Sequence, residues 1–252
     1  MKRPHAVLLV ASLFLTGCGG GAEASSGHPS GSATAGPGTP DTSSLTSPWP
    51  VMTVQAAPLE LPGLGPRTTA QIPSDARQVV VVSGRARNSP LATVALYERT
   101  ATGWQAGAEW PAHNALKGWS DHHMGGDLRS PIGVFGLTDA GGLLADPGSR
   151  LPYHRSGDFV APGTGFEGEP LAGAFDYVLA INYNRRPGTS PLDWTRPLGS
   201  DRGGGIWFHV DHGGPTHGCV SVSEQHMKEL LHTLDPDRHP VVVMGDAGSL
   251  AR

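Results

Sequence analysis

Ile206-Trp207-Phe208-His209-Val210-Asp211-His212-Gly213-Gly214-Pro215-Thr216-His217-Gly218-Cys219-Val220-Ser221-Val222 is the stretch from which the rest of the chain is read. Its first half alternates with the period of a strand, so Ile206, Phe208 and Val210 share one face and Trp207, His209 and Asp211 the other. Gly213-Gly214-Pro215 is a turn signal. The chain then re-enters with Thr216-His217-Gly218-Cys219, which can lie back across from His209. A thiol at neutral pH is mostly protonated and is a weak nucleophile until a base takes its proton. A neighbouring imidazole can do that and hold the thiolate as an ion pair. Gly218 carries no Cβ, so backbone N–H groups there can approach a reacting carbonyl closely. Such donors form an oxyanion hole worth on the order of 3 kcal/mol each.

Outward from this stretch the chain is rich in strands. Gln78–Ser83 is a β-branched run bounded by Asp75 and Gly84, the pattern of a buried strand. Residues 92–99 alternate and read as the next strand, and 103–110 as a third. Residues 176–183, 205–210 and 240–244 complete the set. A helix is expected over 223–235, because Met227, Leu230, Leu231 and Leu234 form an i, i+3, i+4, i+7 stripe. Ser221 or Ser223 caps its start, Pro236 ends it, and Glu224 and Lys228 form an i,i+4 pair. Residues 111–175 show little periodicity and read as a long Gly/Pro/His/Asp-rich loop region, of the kind that often carries function. The fold class expected is mainly β with one or two short helices.

The N-terminus reads as an export signal. Lys2 and Arg3 precede an apolar run over 6–15, too short to span a bilayer, which takes about 20 residues. Leu15-Thr16-Gly17-Cys18 follows and resembles a bacterial lipobox, with Cys18 as the lipidated residue. Residues 1–17 are then a lipoprotein signal peptide and 18–57 a Gly/Ser/Pro-rich flexible tether, too poor in large apolar side chains to fold. The folded domain is expected over 58–247. The chain has two cysteines; if Cys18 carries lipid, Cys219 is a lone thiol in a disulfide-permissive compartment, which flags reactivity. A formal net charge of −4 leaves no basic surplus for nucleic acid as a partner.

Thr216-His217-Gly218-Cys219 behind the strand residue His209 resembles the Ser/Thr-His-Gly-Cys signature of the L,D-transpeptidase catalytic domain family. Gly126-Asp127-Leu128-Arg129-Ser130-Pro131-Ile132-Gly133-Val134-Phe135 is similar to a second block of that family, with Ser130 in place of Thr. The resemblance covers roughly 75–246 and implies a β-sandwich-like fold. It implies a Cys219 nucleophile that attacks the third residue of a peptidoglycan stem, expels terminal D-Ala, and passes the thioester-bound acyl group to an amine on a neighbouring stem. His209 is then the general base, oriented by a backbone carbonyl such as that of Val210, with Asp211 as a substitute. His217 completes the catalytic set, and Gly218, Thr216 and Asp127 are the oxyanion and substrate-binding candidates. Donor and acceptor stem peptides are the implied partners, with no cofactor and no metal. The lipid on Cys18 places the enzyme at the outer face of the plasma membrane. An L,D-carboxypeptidase using water as acceptor shares every one of these residues. A non-catalytic wall-binding lipoprotein is the reading from another class. The chain departs from the family at Val220-Ser221, where many members carry Arg in the second position.

Other residues have simpler readings. His122-His123 invites a metal, but adjacent strand residues point to opposite faces and no second ligand pair has zinc spacing. His212 reads as a solvated loop residue. Trp194 and Trp207 read by default as core, with substrate contact as the alternative.

Overall fold

Four consecutive valines, Val79 to Val82, have no polar face to give to water. The computed structural model, which describes residues 60–252, buries both faces of their strand. Val80 and Val82 enter one apolar cluster, and Val79 and Val81 enter another on the opposite side. In chain order the elements are α1 (Pro66–Thr69), β1 (Gln78–Gly84), β2 (Leu91–Thr100), β3 (Gly103–His113), β4 (Trp119–Ser120), β5 (Ser130–Pro131), β6 (Gly133–Gly142), β7 (Tyr153–Arg155), β8 (Val178–Ile181), β9 (Trp207–Val210), β10 (Val220–Val222), α2 (Glu224–Thr233), β11 (Val241–Asp246) and α3 (Ala247–Leu250). The expected signal peptide, Cys18 and the tether lie outside the described residues.

The mainly β expectation holds, with three short α-helices among the described residues. The large sheet runs β11-β1-β2-β3-β10-β9-β8-β6-β7, and β11 also pairs with β6, so the sheet closes on itself. β1 pairs parallel with β11 and antiparallel with β2. The larger cluster holds Leu179, Ile181, Phe208, Val220 and Val222 together with Val80, Val82, Val242 and Met244. Helix α2 lays its expected stripe into it, and Met227, Leu230, Leu231 and Leu234 are fully buried. Ser223, not Ser221, is the N-cap, its hydroxyl accepting from the His226 N–H. Ser221 lies in β10.

Residues 111–175 are mainly irregular, as their lack of periodicity suggests, but they also contain the end of β3 and all of β4 to β7. β6 escapes a pattern reading because Gly133, Gly136, Gly141 and Gly142 interrupt it. Close approach explains one of them, since a Cβ at Gly136 would meet the Asn182 amide at 2.9 Å. The fold also continues past 247, where α3 places Leu250 in the smaller cluster.

Candidate active site

β9 and β10 run parallel and in register, with Phe208 opposite Val220 and His209 opposite Ser221. That register brings Cys219, one residue before β10, against Trp207. The Trp207 N–H donates to Cys219 Sγ at 3.4 Å, and the thiol donates to the Gly205 carbonyl at 3.5 Å. As the alternation predicts, Trp207 and His209 face away from Phe208 and into a cavity of about 370 Å³. Cys219, Thr216, His217 and His212 line the same cavity.

His209 is 3% exposed. Its Nδ1 lies 2.9 Å from the Val210 carbonyl, which can only accept, so Nδ1 carries the proton and Nε2 keeps a lone pair. Phe175 meets the imidazole edge-on at 5.4 Å, and the His212 ring stacks on it at 5.6 Å. Burial pulls the His209 pKa down to about 4. His212 adds to the fall, while the Val210 carbonyl and Asp211 resist it. Burial likewise pushes the Cys219 thiol up to about 11, against the pull of the Trp207 N–H. Both shifts favour a neutral thiol and a neutral imidazole at rest over a preformed ion pair. Base catalysis in such a site transfers the proton as the sulfur attacks.

The backbone around Cys219 is fixed by two hydroxyls. Thr216 Oγ1 donates to the Cys219 carbonyl at 2.7 Å and Ser130 Oγ to the same oxygen at 3.4 Å. Ser130 Oγ also accepts from the Ala115 N–H. The two sequence blocks thus meet at one carbonyl, and Ser for Thr at 130 keeps the group that matters. A Cβ at Gly218 would crowd Ile206, meeting its Cδ1 at 3.0 Å. Among the described residues the N–H groups of His217, Gly218 and Cys219 find no backbone acceptor, which leaves them available to a substrate oxygen.

Other sequence candidates lie elsewhere. Asp127 is away from the cavity wall. Its carboxylate accepts from the Met124 and Arg129 N–H groups and pairs with His123 at 3.0 Å, so it braces its own loop. Asp211 does not orient His209. It accepts from Ser221 Oγ at 2.6 Å and His113 Nδ1 at 2.8 Å. Burial would raise the Asp211 carboxyl, but these bonds and the charge of His113 outweigh it and hold it at about 2. The same bond raises the His113 pKa. Ser221, at the position of the missing Arg, is thus fully buried in this network. His217 is exposed and rests on Phe166 at 4.6 Å. His122 and His123 do not share a site: His123 is buried against Tyr183, whereas His122 lines a separate cavity with Arg67 and Asp121.

Two readings are overturned. The His212 side chain is only 6% exposed, because the segment 156–176 folds over it and sets Glu169 at 3.2 Å from its Nδ1. This segment lies almost wholly within the aperiodic region 111–175, whose lack of pattern gives no sign of its place, and it also brings Val160, Leu171 and Phe175 to the cavity. Trp194 is not core; it is 78% exposed at the cavity's edge.

A thiol, a tautomerically fixed imidazole and free backbone donors around one cavity are the equipment of acyl transfer through sulfur. Residues 93–243 match the model of the L,D-transpeptidase catalytic domain (YkuD), and the chain belongs to that family. Among solved structures it is similar to the helical cell shape determining protein Pgp2 from Campylobacter jejuni, with 17% identity and a TM-score of 0.40 over 69% of this chain and 49% of that one. It is also similar to Bd1075 from Bdellovibrio bacteriovorus, with 16% identity and a TM-score of 0.35 over 68% and 48%. The chain therefore spans about half the length of each. No curated protein matches it.

Proposed function

We propose that this chain is a peptidoglycan L,D-transpeptidase that works through a Cys219 thioester. The observation that carries the reading is the fixed tautomer of His209, whose Nδ1–H is held by Val210, in the cavity that also holds the thiol. The stem peptide enters with the carbonyl of its third residue, a diamino acid, against Sγ. The S–H proton passes to His209 Nε2 as the C–S bond forms, and the oxyanion takes hydrogen bonds from the N–H groups of His217 to Cys219. The carbon–nitrogen bond to D-Ala then breaks, and the imidazolium returns its proton to the leaving amine. An amine from a second stem attacks the thioester, gives a proton to His209, and displaces the Cys219 thiolate, which takes that proton back. The site asks for no metal or organic cofactor in any of these steps. His217 contributes its N–H and a wall of the cavity. Lipid on Cys18 would hold the enzyme at the outer face of the plasma membrane.

Intact-mass spectrometry of the protein mixed with a tetrapeptide stem tests the reading. A transient adduct of the tripeptide acyl mass with D-Ala release, both lost in Cys219→Ala, is expected. Added amine acceptor then yields a cross-linked product, whereas turnover by water alone would make the enzyme an L,D-carboxypeptidase. Absence of adduct and of D-Ala release across several stems would remove the enzymatic reading.

A further inference from the structure

Trp194 is the most exposed large apolar side chain among the described residues, and both its ring and its loop have defined partners. Arg196 lies over its ring, with the guanidinium carbon 4.8 Å from the centroid. Arg196 is itself held by the Asp193 and Thr195 carbonyls, each 3.1 Å from Nη1. It rests against Gly204, whose φ of +142° and lack of a Cβ make room for the guanidinium; any Cβ there would strike Arg196 Nε. The loop behind is braced by buried Asn184, which donates to the Gly199 and Gly203 carbonyls at 2.9 and 2.6 Å and accepts from the Leu198 N–H at 2.7 Å. The indole is thus a fixed plate with one face on a cation and the other in solvent.

This plate stands at the edge of the cavity that holds Cys219 and His209. Large exposed aromatic surface is disfavoured in water, and a rigid exposed aromatic is pre-organised for a partner. The electron-rich face of an indole attracts groups whose surface is slightly positive. The C–H face of a pyranose ring is such a surface. On the transpeptidase reading, the stem peptide that fills the cavity is joined at its other end to a sugar of the glycan strand. What leaves the cavity beside the peptide is therefore a hexosamine.

We propose that Trp194, backed by Arg196, is a glycan subsite that stacks an N-acetylhexosamine ring of the strand bearing the donor stem. This inference rests on the transpeptidase reading for the arrival of the peptide, and its test has an arm that needs no catalysis. The protein is titrated with N,N′-diacetylchitobiose, a disaccharide with no peptide, while the indole N–H resonance of Trp194 is followed by NMR. That resonance is assigned by its loss in Trp194→Phe. It is expected to shift in a saturable way. No shift of this resonance overturns the proposal. A shift with phosphatidylglycerol vesicles but not with the disaccharide overturns it in favour of a membrane contact.

The second arm compares kcat/KM for a disaccharide-linked tetrapeptide and a free tetrapeptide. The wild type is expected to prefer the linked form about tenfold, Trp194→Tyr to keep most of that preference, and Trp194→Ala to bring the ratio to about one. A fall on both substrates by the same factor would mean that Trp194 contacts peptide and would overturn the proposal. Turnover of the free tetrapeptide by the wild type reports on the transpeptidase reading separately from this ratio.

Discussion

At His209 two demands conflict. A base must accept a proton, but the site that shields it from water makes the charged form costly. The consequence is visible in pH dependence. A free imidazole titrates at about 6.5, whereas burial takes His209 to about 4. The acid limb of kcat/KM is therefore expected well below pH 6, and a limb at 6 to 7 would show that the imidazole is not buried as described. The thiol at about 11 predicts slow alkylation by iodoacetamide at pH 7, rising with pH into the alkaline range. Stability follows the same shift. The unfolded chain binds the His209 proton more tightly than the folded one, so this contribution is complete above pH 6.5 and is lost as pH falls towards 4. It amounts to about 3 kcal/mol. Thermal melts of wild type and His209→Gln between pH 7 and pH 4 should converge on acidification. Thr216 offers a second test. Thr216→Val removes the shorter of the two hydroxyl bonds to the Cys219 carbonyl. A loss of about 1–3 kcal/mol in urea melts is expected, with slower acylation, while Thr216→Ser retains both. Of these residues, Cys219 and His209 stand out in the sequence through the strand period and the Gly-Cys turn, whereas the backbone orientation through Val210 comes only from the family resemblance. The burial of His212 is not legible. It depends on Glu169, which is 43 residues away along the chain and arrives only by tertiary folding.

At the scale of elements, β1, β2, β3, β8, β9, β11 and α2 announce themselves through period and composition. β6 does not, although it closes the sheet. Glycines carry no hydrophobic signal, and its ladder with β11, from Gly136 opposite Val241 to Gly133 opposite Met244, is a long-range fact. The Ser130 block is an intermediate case. Its spacing is visible as a motif, but its purpose appears only when Ser130 Oγ is found on the Cys219 carbonyl. Helix α2 separates two kinds of stabilisation. Leu231 is fully buried, so Leu231→Ala should cost about 2–5 kcal/mol, including the cavity left behind. Ser223→Ala removes the cap alone and should cost about 1 kcal/mol. Equal costs in denaturant melts would mean that the stripe is not packed as described.

For the whole molecule, the proposal divides labour between a folded unit that does chemistry and an N-terminal segment that sets its place. The chemistry needs Cys219 free, and the address needs Cys18 modified, so the two thiols should be separable by mutation. Cys18→Ser is expected to move the protein from the membrane fraction to the soluble fraction of the producing cells. The same variant should keep its acyl-adduct formation with a stem tetrapeptide. The reciprocal variant, Cys219→Ala, should remain with the membranes and form no adduct. Acyl chains contribute about 0.8 kcal/mol per buried methylene through apolar contact rather than charge, so the wild type should resist a salt wash but yield to detergent. Release by salt alone would point to a charge-mediated contact and would remove the lipid anchor from the proposal. Membrane retention of Cys18→Ser would do the same.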